Sequence, residues 1–184
     1  MHVPLAQARQ TTAQALQNIG WDESDAALQA EIMTAAELSG NNQGLVKMYQ
    51  PALMAPSPEA QKPVVERETA SSAVLNGRQS PGMLAAITAA DLSVQKLRDS
   101  TNDGSGVNIA MVSTYNTSTS SGQLGFYVNR MAQQGYVGIA LCNSPEFVAA
   151  APGAQGVFGT NPLAVGVPMP EGQPPFTVRT CRTS

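Results

Sequence analysis

The chain offers little for proton chemistry near neutral pH. Its one histidine, His2, stands beside the amino terminus, where a solvated side chain is the expectation. The two cysteines, Cys142 and Cys181, lack metal-ligand spacing, so no metal site and reduced thiols are expected. There is no Gly-x-Gly-x-x-Gly between a strand and a helix, no Walker A sequence and no Gly-x-Ser-x-Gly turn. Serine–histidine and cysteine–histidine nucleophile pairs are therefore disfavoured. Chemistry is left to three stretches: SGNNQGLVKMYQP at 39–51, TYNTSTSSG at 114–122, and NSPEFVAAAPGAQGVFGTNPLAVGVP at 143–168.

Each stretch suits a different task. Gln43 does not titrate, but its amide can hydrogen-bond an oxygen. Lys47, four residues on, can attract a carboxylate as a point charge. In a helix that spacing puts both on one face; a polar helix-to-helix turn carries no such implication. The hydroxyls from Thr117 to Ser121 can cap a helix or hold an anion at its start. The stretch 143–168 leaves the apolar run YVGIALC, enters LAVGVP and holds one charge, Glu146. A long, glycine-rich, nearly uncharged connection between apolar runs lets backbone approach a ligand closely.

The order Asn143-Ser144-Pro145, glycine-rich loop, Gly159-Thr160-Asn161-Pro162 and apolar strand resembles the malate/L-lactate dehydrogenase family. These are 2-hydroxy-acid oxidoreductases that lack the usual Rossmann fingerprint. The resemblance runs to about Phe176. It implies NAD or NADP as cofactor, a small 2-oxo or 2-hydroxy acid as substrate, and a homodimer. It also implies that Gln43 stands where the family has its proton-donating histidine, and Lys47 where it has the arginine thought to hold the substrate carboxylate. Ser120 stands where the loop usually carries a second active-site histidine, between the matching Asn116 and Gly122. Gln43, Lys47 and Ser120 are thus the candidate catalytic residues. The candidate cofactor residues are Asn143, Thr160 and Asn161, with Thr183 and Ser184 at the position of a Thr-Ser pair that touches the dinucleotide. Two readings follow: a dehydrogenase whose proton comes from Lys47, Tyr49 or a bound water, or a non-catalytic or dimerising relative that keeps only the fold.

The family pattern is lost near the end, where FTVRTCRTS lacks the expected acidic residue and brings in Arg179 and Arg182. A truncation or a frame shift near Val178 is the expectation.

Composition sets the outer bounds. The 184 residues are 42% hydrophobic and 12% charged with net charge -3, which suits a packed domain and neither disorder nor a nucleic-acid partner. No apolar run reaches membrane-spanning length, and MHVPLAQARQ lacks the core of a signal peptide. A cytoplasmic location is expected.

The elements needed to position these residues follow from periodicity. A helix over 4–19 is predicted with Leu5, Thr12, Leu16 and Ile19 inward. A second, capped by Asp22, is predicted to bury Leu28, Ile32, Ala35 and Leu38. Pro51, Pro56, Pro58 and Pro63 mark a linker or surface crossover. Strands near 64–69 and 71–75 precede a turn at Asn76-Gly77. A helix over 82–98, a strand over 107–113 buried on both faces, a helix over 122–134 and a strand over 136–142 follow, the last three as a parallel βαβ crossover. The fold class is α/β: an N-terminal helical hairpin over 1–63, then a partial cofactor-binding domain over 64–184.

Overall fold

The computed structural model describes residues 2–146 and 148–180. It is a mixed α/β structure in two compact units, Met1–Gln123 and Leu124–Ser184. The division falls at the start of a helix, whereas the compositional change in the sequence falls in the proline-rich stretch 51–63.

In the first unit, α1 (Leu5–Asn18) and α2 (Glu23–Leu38) pack against each other. The Asp22 carboxylate caps α2 by accepting from the Asp25 amide at 2.8 Å, which satisfies one orphan donor of the first turn. That bond holds the carboxyl below its usual range. The buried arc of α2 is Ala26, Gln29, Ala30, Ile32, Met33, Thr34 and Ala36. Of the expected stripe only Ile32 is buried, and Leu38 lies exposed. Small alanines let α2 pack closely on an arc that leucine periodicity alone does not mark.

The proline-rich stretch is fixed rather than loose where it begins. After the 3₁₀ turn Leu45–Tyr49 comes a second, Pro51–Met54. The indole N–H of the nearly buried Trp21 donates to the Met54 carbonyl at 2.7 Å.

The first sheet has the order β1-β2-β3, from β1 (Val64–Glu68), β2 (Ser72–Asn76) and β3 (Met111–Tyr115). The β1–β2 hairpin turns over Thr69–Ser72, where the Thr69 amide donates to the Ser72 carbonyl at 2.8 Å. The Asn76-Gly77 pair opens the next turn, in which Ser80 N–H bonds Gly77 O and both central residues, Arg78 and Gln79, have positive φ. Helix α3 (Gly82–Asp103) runs past the expected end at 98 and stops at the left-handed Gly104. Of the stripe expected from its periodicity, Met83, Ile87, Ala90 and Val94 are buried and Leu97 is half-buried.

Two expectations fail here. The parallel crossover is β2–α3–β3, with register from Ser72↔Met111 to Asn76↔Tyr115, not 107–113 to 136–142. β3 is also an edge strand rather than one buried on both faces; Ile109 just before it is 80% exposed. An apolar run marks a strand but does not say how many faces are covered.

The second unit holds α4 (Leu124–Gln133) and a three-stranded antiparallel sheet of order β4-β7-β8. Its strands are β4 (Gly138–Leu141), β7 (Leu163–Val167) and β8 (Phe176–Thr180). A short β5–β6 pair (Val148–Ala149 with Gly156–Phe158) lies in the connection between β4 and β7. Helix α4 covers one face, where Gly166 meets the Val128 backbone and Ala164 is fully buried. The opposite face is apolar and open: cross-strand rows join Ile139, Val165 and Val178, and Val167 and Phe176, with Leu141 71% exposed. Residues 176–180, where a loss of the family pattern is expected from the sequence, pair in register with β7. Among the described residues no helix is long and apolar enough to cross a membrane, and no group of three His, Cys, Asp or Glu side chains is placed to hold a metal.

Candidate active site

Three candidate catalytic residues meet in the first unit. The Lys47 Nζ donates to Ser120 Oγ at 2.6 Å across 73 residues of sequence. Ser120 Oγ in turn donates to Gln43 Oε1 at 3.3 Å. The amide, the hydroxyl and the ammonium thus form one chain of hydrogen bonds.

The segment 39–49 is shaped by local polar bonds. The Asn41 side chain accepts from the Gln43 amide at 2.8 Å, an Asx turn. Glu37 Oε2 accepts from the Leu45 amide at 3.0 Å, tying the segment to the end of α2. A Cβ on Gly44 would stand 2.8 Å from the Glu37 backbone nitrogen, so a side chain there would displace this tie. The expected helical face carrying Gln43 and Lys47 is absent: Gly44 is the non-helical cap of a 3₁₀ turn, and Gln43 lies before it. Ser120, not helical spacing, brings the two residues together.

The loop bearing Ser120 is pinned on several sides. Ser118 N–H donates to Ser80 O at 3.0 Å. A Cβ on Gly82 would lie 2.6 Å from Thr119 O and 2.7 Å from Ser120 C, so the start of α3 sits directly against this backbone. Gln123 Nε2 donates to Ser39 Oγ at 2.9 Å. Asn116, at φ 58, accepts from the Gln79 side chain and donates to Asn76 Oδ1. Arg78, Gln79 and Asn116 are thus three left-handed non-glycine residues in two loops that follow adjacent parallel strands. Such conformations cost of order 1–3 kcal/mol each and persist where surrounding bonds over-determine them.

Burial governs the electrostatics. Lys47 is half-buried, and desolvation lowers its ammonium from the ordinary lysine range. Ser120, the middle member of the chain of bonds, is exposed. Tyr49, the other residue considered as a proton source, is 87% exposed.

In the second unit the hub is a residue that sequence reasoning did not select. Ser144 Oγ accepts from the Thr160 amide at 2.7 Å and lies 3.0 Å from Thr160 Oγ1. The Ser144 amide donates to Asn161 Oδ1 at 3.2 Å. Asn161 has positive φ, which asparagine tolerates better than most residues. Thr160 and Asn161 therefore clasp the Asn143–Pro145 turn, while the Asn143 side chain is exposed. Gly159 cannot gain a side chain, because a Cβ there would meet the Ser144 carbonyl and the Asn161 side chain. The only signal for Ser144 was its place between Asn143 and Pro145. Thr183 and Ser184 lie outside the described residues. Ser144→Ala is expected to cost about 1–2 kcal/mol, since it strips the Thr160 amide of its partner. Faster hydrogen exchange at Thr160 with α4 amides unchanged is the expected signature.

The model of the malate/L-lactate dehydrogenase family matches residues 3–181. The chain belongs to that family. A malate dehydrogenase from Pyrococcus horikoshii is 29% identical over 157 residues, spanning 83% of this family member and 41% of the archaeal protein. The solved structure of malate dehydrogenase from that organism superposes with a TM-score of 0.84 at 25% identity, covering 98% of this chain and 50% of its own. A Delta(1)-pyrroline-2-carboxylate reductase from Pseudomonas fluorescens is 53% identical over 47 residues, 26% of this chain and 14% of the reductase. This family member thus spans half or less of the length of these relatives.

Proposed function

We propose that this chain is part of a nicotinamide-dependent oxidoreductase acting on 2-oxo and 2-hydroxy acids. The observation that carries the reading is the meeting of Gln43, Lys47 and Ser120 in one hydrogen-bonded chain. Lys47 supplies the positive charge that a substrate carboxylate needs, and Gln43 and Ser120 supply neutral hydrogen-bonding groups for the carbonyl oxygen. The dinucleotide supplies the hydride. Asn143, Thr160 and Asn161, with Thr183 and Ser184, are the residues assigned to it. The described part of this set is amides and hydroxyls without a cation, which suits ribose hydroxyls and a carboxamide better than a pyrophosphate. Either NAD or NADP fits that chemistry. The reading extends to a homodimer drawing on the cytoplasmic dinucleotide pool.

A second reading takes a cyclic imine carboxylate as substrate. The match to the pyrroline-2-carboxylate reductase favours it. A protonated C=N bond arrives with its own proton, so a site without histidine suffices, and Gln43 Oε1 can accept the N–H.

The test is oxidation of NADH and of NADPH with a panel of 2-oxo acids and cyclic imine carboxylates, beside calorimetric binding of each. Turnover of the oxo acids is expected, and Gln43→His is expected to raise it. Turnover confined to the imines selects the second reading. Failure to bind either cofactor and any acid would leave a non-catalytic relative that keeps the fold.

A further inference from the structure

The site contains no histidine, yet reduction of a carbonyl creates an alkoxide that must be protonated. Three groups were open from the sequence: Lys47, Tyr49 and a water. Tyr49 points away into solvent, and its hydroxyl makes no bond to Gln43 or Ser120 among those described. Lys47 touches Ser120 at 2.6 Å, and Ser120 Oγ is the exposed end of the pair.

We infer that Lys47 is the acid of this site and that Ser120 Oγ relays its proton to the substrate oxygen. This deepens the oxidoreductase reading and rests on it. The balance closes without another reagent. Hydride from the dinucleotide forms a C–H bond at the carbonyl carbon, and the C=O π pair moves to oxygen. That oxygen takes the Ser120 hydroxyl proton, and Ser120 takes one from the Lys47 ammonium, leaving a neutral amine that solvent reprotonates. In the oxidative direction the amine receives the proton.

Three features support the assignment beyond the distance. Burial disfavours the Lys47 ammonium and so makes it a better proton donor than a solvated lysine. Among the described residues no protein carboxylate is bonded to Lys47: Glu37, the acidic residue at the adjoining end of α2, accepts from the Leu45 amide instead. The loop 116–122 and the 3₁₀ turn Pro51–Met54 carry no ionisable side chain. The Ser120 hydroxyl donates to Gln43 Oε1 at 3.3 Å, a long O–H···O bond that leaves the hydroxyl able to rotate its proton to a substrate oxygen.

The assignment differs from a carboxylate-binding role in what arginine would do. An arginine at 47 binds a carboxylate at least as well but does not release a proton. The experiment has two arms. In the first, the lysines are labelled with ¹³C at Cε and titrated by NMR in the wild-type chain, in Ser120→Ala and in Gln43→Leu. Lys47 is expected to titrate below the ordinary lysine range, and its midpoint to move in Ser120→Ala. A Lys47 midpoint within the ordinary lysine range, or unmoved by loss of Ser120, overturns the inference whatever the activity. In the second arm, kcat and KM for 2-oxo-acid reduction are measured against pH. Wild-type kcat is expected to fall as pH rises through the Lys47 midpoint. Lys47→Arg is expected to keep KM within a few-fold while kcat drops roughly 100-fold and loses that pH limb, in line with the range for general acid catalysis. A Lys47→Arg variant with undiminished kcat and an unchanged profile also overturns it. A wild-type chain that binds and turns over nothing defeats the oxidoreductase reading, and the titration arm still judges the Lys47–Ser120 pair.

Discussion

Trp21→Ala is expected to lower the unfolding free energy by about 3–5 kcal/mol, the usual range for removing a buried tryptophan. Trp21 is 9% exposed and lies in the link between α1 and α2. Its indole also closes a long-range bond, from Nε1 to the Met54 carbonyl at 2.7 Å. Two losses therefore combine: apolar area returns to water, and a buried carbonyl loses its donor. Trp21→Phe separates them. It keeps most of the ring packing and is expected to cost only about 1–2 kcal/mol, the price of the unpaired Met54 carbonyl. Urea unfolding followed by circular dichroism measures both, because the single tryptophan disappears as a fluorescent probe. Equal destabilisation by the two variants would contradict the packing argument. The site responds as well. Met54 ends the pair of 3₁₀ turns that carries Lys47, so releasing it admits water around the ammonium. The Lys47 midpoint then rises toward the ordinary lysine value.

Gly82→Ala is the second large effect, and its sign is the informative part. In an exposed helix the change favours folding by up to about 1 kcal/mol, since alanine is the better helix former. At this position the new Cβ would lie 2.6 Å from Thr119 O, 2.7 Å from Ser120 C and 2.7 Å from Ser121 N. All three are backbone atoms, which cannot rotate aside as a side chain does. Either α3 shifts or the 119–121 segment lifts, and overpacking of this kind costs about 1–3 kcal/mol. A net loss of stability is expected, seen as a lower urea midpoint. Lifting the segment also draws Ser120 from Lys47, so Gly82→Ala is expected to shift the Lys47 titration in the same sense as Ser120→Ala. A stabilised variant with unchanged Lys47 titration would show that the contact relaxes at no cost.

How far the sequence could reveal this structure depended on the range of the interaction. Asp22 as the cap of α2 was legible, because a cap and its amide lie three residues apart. The apolar stripe of α3 was legible for the same reason of local periodicity. Gln43, Lys47 and Ser120 could be singled out through the family pattern, but their union could not, since it spans 73 residues. Gln43 and Lys47 do not share a helical face as i,i+4 spacing suggests: a 3₁₀ turn after Gly44 carries Lys47, and Ser120 bridges the two. Ser144 was passed over because a serine between Asn143 and Pro145 reveals nothing of the 16 residues that separate it from Thr160. The crossover differs from the expected one because β2 and β3 are each legible as short strands, but local pattern does not say which strands lie side by side.

The open face of the β4-β7-β8 sheet has a consequence for the life of the chain in a cell. Rows such as Ile139, Val165 and Val178 are clustered, extended and apolar, the pattern by which holdase chaperones and quality-control proteases distinguish unfinished molecules from finished ones. Among the described residues these side chains stay on the surface once the three strands have paired, so formation of this sheet alone does not silence the pattern. Gains in global stability from core substitutions would leave the chain's turnover largely unchanged, whereas a lysine at Ile139 would lengthen its survival without making the fold any more stable.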